Sequence, residues 1–382
     1  MAEPLVAQFG SDVPQAIARM VAAVHPDFAV DAFVHDALNG YDALALMPRG
    51  QHIAHALQRH LPPDYGQALR ILLASIDQPH GRAPGMSLAS FLYLPHTVFV
   101  AEFGLEDFEL SMYAQHVLTQ RFTAEFSIRP FLQRHPEATL ARLMEWTRDP
   151  SEQVRRLVSE GTRPRLPWAP RLPAFQRDPA PVLALLERLK DDPALYVRRS
   201  VANSLNDIGK DHPDLLAATA RVWLQGATPE RRWIVQHALR SAIKRGESGA
   251  LAALGFGASA DVVICQPTIA PSRAVVGDTL AVAFDVTNRS DQPQRVLVDF
   301  AVHFVKTNGQ SRAKVFKLRT LDLAAHATFR VGKQISLADM TTRKHYPGLH
   351  RVDAILNGHA QALGSFTSGA AAPKARSCST KS

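Results

Sequence analysis

Cysteine is almost absent from this chain of 382 residues, which has only Cys265 and Cys378. Two thiols so far apart supply neither a disulfide framework nor a metal-ligand spacing. Long apolar runs are missing too, since no stretch reaches the about 18 residues that a membrane-spanning helix requires. The opening MAEPLVAQFGSD carries neither the basic nor the apolar segment of a secretory leader. The 16 histidines form no H-E-x-x-H pair and no Cys/His cluster. Glycine-rich phosphate loops of the P-loop or dinucleotide type are also lacking. Together these absences argue against a membrane protein, a disulfide scaffold, a metalloenzyme of familiar spacing and a nucleotide-cofactor enzyme. The expectation is a cytoplasmic protein with no metal and no cofactor.

Glutamate disappears after Glu247, and charge is unevenly divided. Residues 1–145 hold 9 Lys/Arg against 15 Asp/Glu, residues 146–257 hold 18 against 12, and residues 258–382 hold 16 against 8. An acidic first third thus precedes a basic remainder. Such asymmetry suggests a polyanionic partner for the later part of the chain, with ordinary surface charge as the alternative.

What is present divides into two patterns. Up to Gly257 the chain is rich in Leu and Ala, with apolar residues at helical spacing and Pro or Gly between segments. Twelve helices are expected between residues 14 and 244, among them 86–95, 151–160 and 194–209. Short helices in series without strand signals make an all-α solenoid or bundle. After Gly257 alternation takes over in TLAVAFDVTN, RVLVDFAVHFVK, AKVFKLRTLDL, TFRVGKQISL and HRVDAILNG. Six or seven strands over that length fit a small immunoglobulin-like β-sandwich. The expected organisation is a HEAT-like α-helical solenoid over 1–257, the sandwich over 258–367, and a disordered basic tail over 368–382.

One segment is written twice. DPSEQVRRLVSEG from Asp149 and DPALYVRRSVANS from Asp192 align without a gap at an offset of 43 residues. A period in the low forties is that of HEAT and armadillo units. Val197, Val201, Leu205 and Ile208 form the apolar stripe of the second copy, which leaves Arg199, Asn203 and Asp207 on polar positions. Stacked repeats would set Arg156 and Glu160 beside Arg199 and Asn203. Two readings of the paired arginines compete: an inter-repeat ladder with acids, or phosphate contacts. The loop SEGTRPRLPWAPRL tilts the balance toward phosphates. Arg163, Arg165 and Arg171 surround Trp168, which the flanking prolines stiffen, and an aromatic among cations suits a nucleobase or sugar face.

SEGTRPRLPWAP together with YVRRSVANSLNDIGKDHPD resembles the AlkC branch of the HEAT-like AlkC/AlkD DNA glycosylases. The likeness spans roughly residues 1–257, and the strand-rich part is similar to the immunoglobulin-like domain that many such proteins carry. It implies a monofunctional glycosylase that cleaves the N-glycosidic bond of cationic N-alkylated bases, such as 3-methylcytosine, 1-methyladenine and 3-methyladenine. It also implies a bent DNA duplex and no deep nucleobase pocket. Carried onto this sequence, the family's functional positions fall on Glu125 in RFTAEFSIRP, Glu160 in SEGTRP, Trp168 in RLPWAP and Asp207 in NSLNDIGKDHP.

The chemistry of such a reaction suits these residue types. A base already bearing positive charge leaves without a general acid, so carboxylates need only stabilise an oxocarbenium-like sugar and direct a water. The DNA contacts expected are Arg155, Arg156, Arg163, Arg165, Arg198, Arg199 and Lys210 on the repeats, with Lys314, Lys317 and Arg319 on the sandwich. Side chains two apart on a strand share a face, so Lys317 and Arg319 are expected to act together. The partner expected is double-stranded DNA containing alkylated bases, bound by a monomer. The alternative is a HEAT-repeat scaffold that binds DNA or protein without catalysis.

Overall fold

The computed structural model describes residues 5–78, 89–256, 261–340 and 344–369. Fifteen α-helices precede all the strands among the described residues. They run α1 Asp12–Ala22, α2 Val30–Leu38, α3 Leu46–His60, α4 Tyr65–Ser75 and α5 Leu94–Phe103. Next come α6 Phe108–Leu118, α7 Ile128–Arg134, α8 Pro136–Trp146, α9 Glu152–Gly161 and α10 Pro173–Arg177. The last are α11 Ala180–Leu189, α12 Leu195–Ile208, α13 Pro213–Leu224, α14 Pro229–Lys244 and α15 Ser248–Ala253. Proline stands in the first turn of α5, α8, α10 and α13, where its missing N–H breaks no helical bond. Internal contacts group the chain into two compact units. One is Met1–Asp211 with Gly226–Ala238, and the other is His212–Gln225 with Leu239–Ser382.

The stripe expected on the second repeat is the buried face of α12, because Val197, Val201, Leu205 and Ile208 are all enclosed. The helix expected over 86–95 is displaced. Residues 86–88 lie outside the described residues, Ala89–Tyr93 form a 3-10 turn, and α5 runs on to Phe103. The expected boundary at Gly257 and the tail from residue 370 likewise lie outside the described residues.

Eight strands follow: β1 Val262–Ala270, β2 Arg273–Val275, β3 Thr279–Asn288, β4 Gln294–Val305, β5 Ser311–Leu323, β6 Thr328–Ser336, β7 Gly348–Leu356 and β8 His359–Gly369. They form a three-stranded sheet, β1-β3-β6, and a five-stranded sheet, β2-β8-β7-β4-β5. Leu280, Val282, Phe284 and Val286 of β3 share one core with Val298, Phe300 and Val302 of β4, the alternation that a sandwich requires. Ser368 and Gly369, expected in the tail, complete β8, and Ser368 is buried against His350 and the Tyr346 carbonyl.

The register of β4 and β5 slips by one residue, so that Val298 pairs with Arg319 and Asp299 with Lys317. Adjacent residues of β4 point to opposite faces, which corrects the expectation that Lys317 and Arg319 act together. Arg319 instead shares its face with Arg312 and Lys314, which pair with Phe304 and Val302. The buried Asp299 accepts the Leu318 amide at the slip, at 3.1 Å.

Candidate active site

The doubled D-P-x-x-x-V-R-R segment is a folding device before it is anything else. Each aspartate turns the chain into its helix, with Asp149 Oδ1 accepting from the Ser151 amide at 2.8 Å and Asp192 Oδ1 from the Ala194 amide at 2.9 Å. The first arginine of each pair reaches back to the same turn. Arg155 donates to the Asp149 and Pro150 carbonyls at 2.8 and 3.0 Å, and Arg198 to the Asp192 and Pro193 carbonyls at 3.1 and 2.7 Å. Arg155 also forks onto Asp192 of the next repeat at 2.6 and 3.1 Å, a bond that raises its pKa. One step earlier, His116 Nε2 lies 2.7 Å from Asp149 Oδ2. Arg155 therefore serves the ladder and Arg198 its own turn, against the expectation that they hold phosphates.

The second arginines have separate fates. Arg156 turns inward, its Nη1 lying 2.5 Å from Glu125 Oε2 and its Nη2 3.5 Å from Glu160 Oε1. Arg199, on the equivalent position, is exposed and has no ion pair among the described residues. A common row of two arginines beside two surface acids does not form, because the acids are buried and Arg156 is bonded to them. Glu125, Glu160 and Asp207 are 9%, 6% and 1% exposed.

Cations link the three acids. Arg163 Nη1 donates to Glu160 Oε1 at 2.6 Å and its Nε to Asp207 Oδ2 at 2.8 Å. Burial depresses the Arg163 pKa, but Glu160 and Asp207 outweigh it and hold the pKa above its ordinary value. Lys210 Nζ donates to Asp207 Oδ1 at 2.8 Å, and Ser200 Oγ to Glu160 Oε2 at 2.6 Å. Thr123 Oγ donates to Glu125 Oε2 at 2.9 Å. Both oxygens of Glu160 and of Asp207 are thus engaged, whereas Glu125 Oε1 takes no hydrogen bond among the described residues. Arg165, expected at a phosphate, forks onto Asp211. Arg171 is exposed.

Trp168 stands out of the surface. Its side chain is 64% exposed and its backbone is left-handed at φ 64°, a conformation that a bulky residue adopts only when its surroundings impose it. It lines a cleft of about 660 Å³ together with Glu125, Glu160, Gln153 and Tyr196. Its other neighbour is a smaller cavity of about 280 Å³ beside Phe126, Arg129 and Pro170. Asp207, Arg163 and Lys210 are not among the cleft-lining residues and stand behind Glu160. Lys314, Lys317 and Arg319 belong to the other compact unit.

Two residues of this site escaped the sequence reading. Tyr196 is half-exposed under the Arg156 guanidinium, which lies 5.1 Å from the ring centre, and burial raises its phenol pKa. Tyr196 and Gln153 are equivalent across the 43-residue offset and both line the cleft. The position before Val-Arg-Arg in each copy was therefore a usable signal. The other residue, Arg129, is a buried arginine in a seven-residue helix and had no pattern to mark it.

Known proteins add the following. Residues 263–368 match a family model described as the C-terminal immunoglobulin-like domain of the uncharacterised protein YhaZ. The uncharacterised protein YhaZ of Bacillus subtilis (strain 168) is 39% identical over 339 residues, which is 88% of this chain and 92% of that one. The structure of the Pseudomonas fluorescens alkylpurine DNA glycosylase AlkC, bound to DNA containing an abasic-site analogue, superposes with a TM-score of 0.86 at 39% identity. That match covers 95% of this chain and 98% of the other.

Proposed function

From the premise that this chain belongs to the AlkC family, we propose that it is a monofunctional DNA glycosylase that releases cationic N-alkylated bases from duplex DNA. The observation that carries the reading is the shared cleft, where an exposed tryptophan face stands beside two buried carboxylates, one with an open oxygen. The substrates proposed are 3-methylcytosine, 1-methyladenine and 3-methyladenine, whose positive charge makes them leaving groups that need no proton. Among the described residues no histidine lines the cleft, and its two carboxylates are paired with the Arg156 guanidinium.

The reaction then runs as follows. The glycosidic bond breaks and its electron pair neutralises the departing base. Positive charge grows on the sugar, where Glu160 and Glu125 supply negative potential and the Trp168 face adds cation–π attraction. Glu125 Oε1 accepts a hydrogen bond from a water aimed at C1′, and that water delivers its hydroxyl to the sugar as its proton passes to the carboxylate. Asp207 acts at one remove by orienting Arg163, which holds Glu160. Lys210 is ion-paired to Asp207 and so is not a free amine, which disfavours a Schiff base and strand cleavage. Arg199 and Arg171 are the proposed phosphate contacts of this unit, and Arg312, Lys314 and Arg319 those of the sandwich.

The test is incubation of alkylated duplex DNA with the protein and mass spectrometry of the released bases. Release of free methylated base with an uncut strand is expected. Binding without release would leave the non-catalytic scaffold as the better reading.

A further inference from the structure

Arg129 stands in the first turn of α7 and is 4% exposed. A buried guanidinium is ordinarily matched by a carboxylate, because an uncompensated charge is costly to desolvate. Arg129 has no such ion pair among the described residues. Its bonds go to backbone carbonyls: Nη1 to Gly161 and Arg163 at 2.9 Å each, and Nη2 to Pro170 at 2.6 Å. Burial, aided by the charge of Arg163, brings its pKa down to about 10, which still leaves it a cation near neutrality.

The three carbonyls are not a random set. Gly161 and Arg163 stand where the chain leaves α9, and Pro170 stands just past Trp168. One guanidinium fork therefore ties the two ends of a single loop. The loop has further ties at its base, where the Leu172 amide donates to the Pro164 carbonyl at 3.1 Å and Leu166 and Leu172 are buried. Gly161 admits no larger residue, since a Cβ there would stand 2.5 Å from Ile128 Cγ2, on the residue before Arg129. Only the tip is free of enclosure, and it carries an exposed ring on a left-handed backbone.

We propose that Arg129 is a positioning residue whose guanidinium clamps this loop and thereby holds the Trp168 ring at the wall between the two cavities. Its planar fork, with donors fixed in direction, suits three carbonyls in a way that a lysine ammonium does not. The inference rests on the reading of Trp168 as a sugar-facing group. The loop-holding role itself is measurable without any turnover.

The experiment uses the full chain labelled with 5-fluorotryptophan, whose four residues give separate fluorine resonances, that of Trp168 being assigned with W168F. In R129M and R129K the Trp168 line is expected to shift or broaden while the other three hold their positions. Single-turnover excision should fall on the order of 10²-fold, the cost typical of a misplaced contact, with affinity for abasic DNA changing much less. In a W168A background R129M should cost nothing further. If R129M fails to fold, R129K alone is read, since it keeps the charge and loses the fork. An unmoved Trp168 line, full activity in R129K, or the same loss with and without Trp168 would overturn the proposal. A parent protein that excises nothing would sink the functional reading, and the fluorine spectra would still judge the clamp.

Discussion

At the scale of residues, Glu125, Glu160 and Asp207 are chemically alike and bonded differently, and their variants should separate accordingly. Glu125→Gln removes the acid with an open oxygen and should slow single-turnover excision by about 10²–10³, the typical cost of one well-placed electrostatic group. Asp207→Asn leaves Arg163 and Lys210 facing a neutral amide. It should slow excision and also destabilise the fold by ~3 kcal/mol, as breaking a buried pair does. Parental excision by Glu125→Gln would remove that residue from the mechanism. Trp168 should matter through its face, so Trp168→Phe is expected to keep partial activity and Trp168→Ala to lose most of it while both remain folded. Equal losses with a collapse in melting temperature would mark a packing role instead. The residue types of this site were legible in the sequence, but their division of labour was not. Arg155 and Arg156 are neighbours about 100° apart on a helix, and nothing in V-R-R says which one turns back to its own turn. Glu125 comes from a different element and meets Arg156 only in three dimensions.

At the scale of elements, legibility followed periodicity. Helix α12 has one apolar stripe and was readable, whereas α5 is apolar on nearly every side because it is enclosed, with Leu94, Pro95, His96, Thr97, Phe99 and Val100 all buried. Helix α7 has seven residues with a proline third, too short for a periodic signal. Strand β1 carries Pro267 inside a register slip, and β8 ends in Ser368 and Gly369, small residues that read as the start of a tail. The enclosure of α5 has a measurable effect. His96 is buried with neither ring nitrogen hydrogen-bonded among the described residues, and burial pushes its pKa down to about 4 from an ordinary 6.5. Below that ordinary value the unfolded chain takes up a proton that the folded chain refuses, so stability is full above it and falls with pH toward 4. Between about pH 7.5 and about pH 5 this one group should cost ~2 kcal/mol. Urea unfolding of His96→Leu should show a pH dependence smaller by that amount, and an unchanged dependence would mean that His96 is charged in the fold.

At the scale of the whole molecule, the two populations of cations predict two behaviours. Neutralising Arg199 or Lys314, as proposed phosphate contacts, should each reduce the slope of log K against log salt by ~1. Neutralising Arg155 should lower the melting temperature and leave that slope alone. The reverse pattern would return Arg155 to the DNA and Arg199 to the surface. The composition boundary near Gly257 is not where contacts divide the chain. Gly246 and Gly358 approach so closely that a Cβ on Gly358 would lie 2.7 Å from the Gly246 Cα, and the Arg295 guanidinium lies 5.4 Å from the Phe256 ring centre. The last helical turns and the sandwich share one compact unit, and a chain cut after Gly257 loses partners on both counts.

The acid–cation ladder of the repeats also has a direction and an end. Each rung sends a nitrogen-bearing side chain forward to the next aspartate, from His116 to Asp149 and from Arg155 to Asp192. Two helices on, α14 opens on Thr228-Pro229, with a hydroxyl where α9 and α12 are preceded by the carboxylates of Asp149 and Asp192, and Arg198 Nε meets no acceptor among the described residues. The array thus behaves like a polymer with a chain terminator. Its last arginine is bonded to the Asp192 and Pro193 carbonyls of its own turn and reaches no acid of a further rung among the described residues.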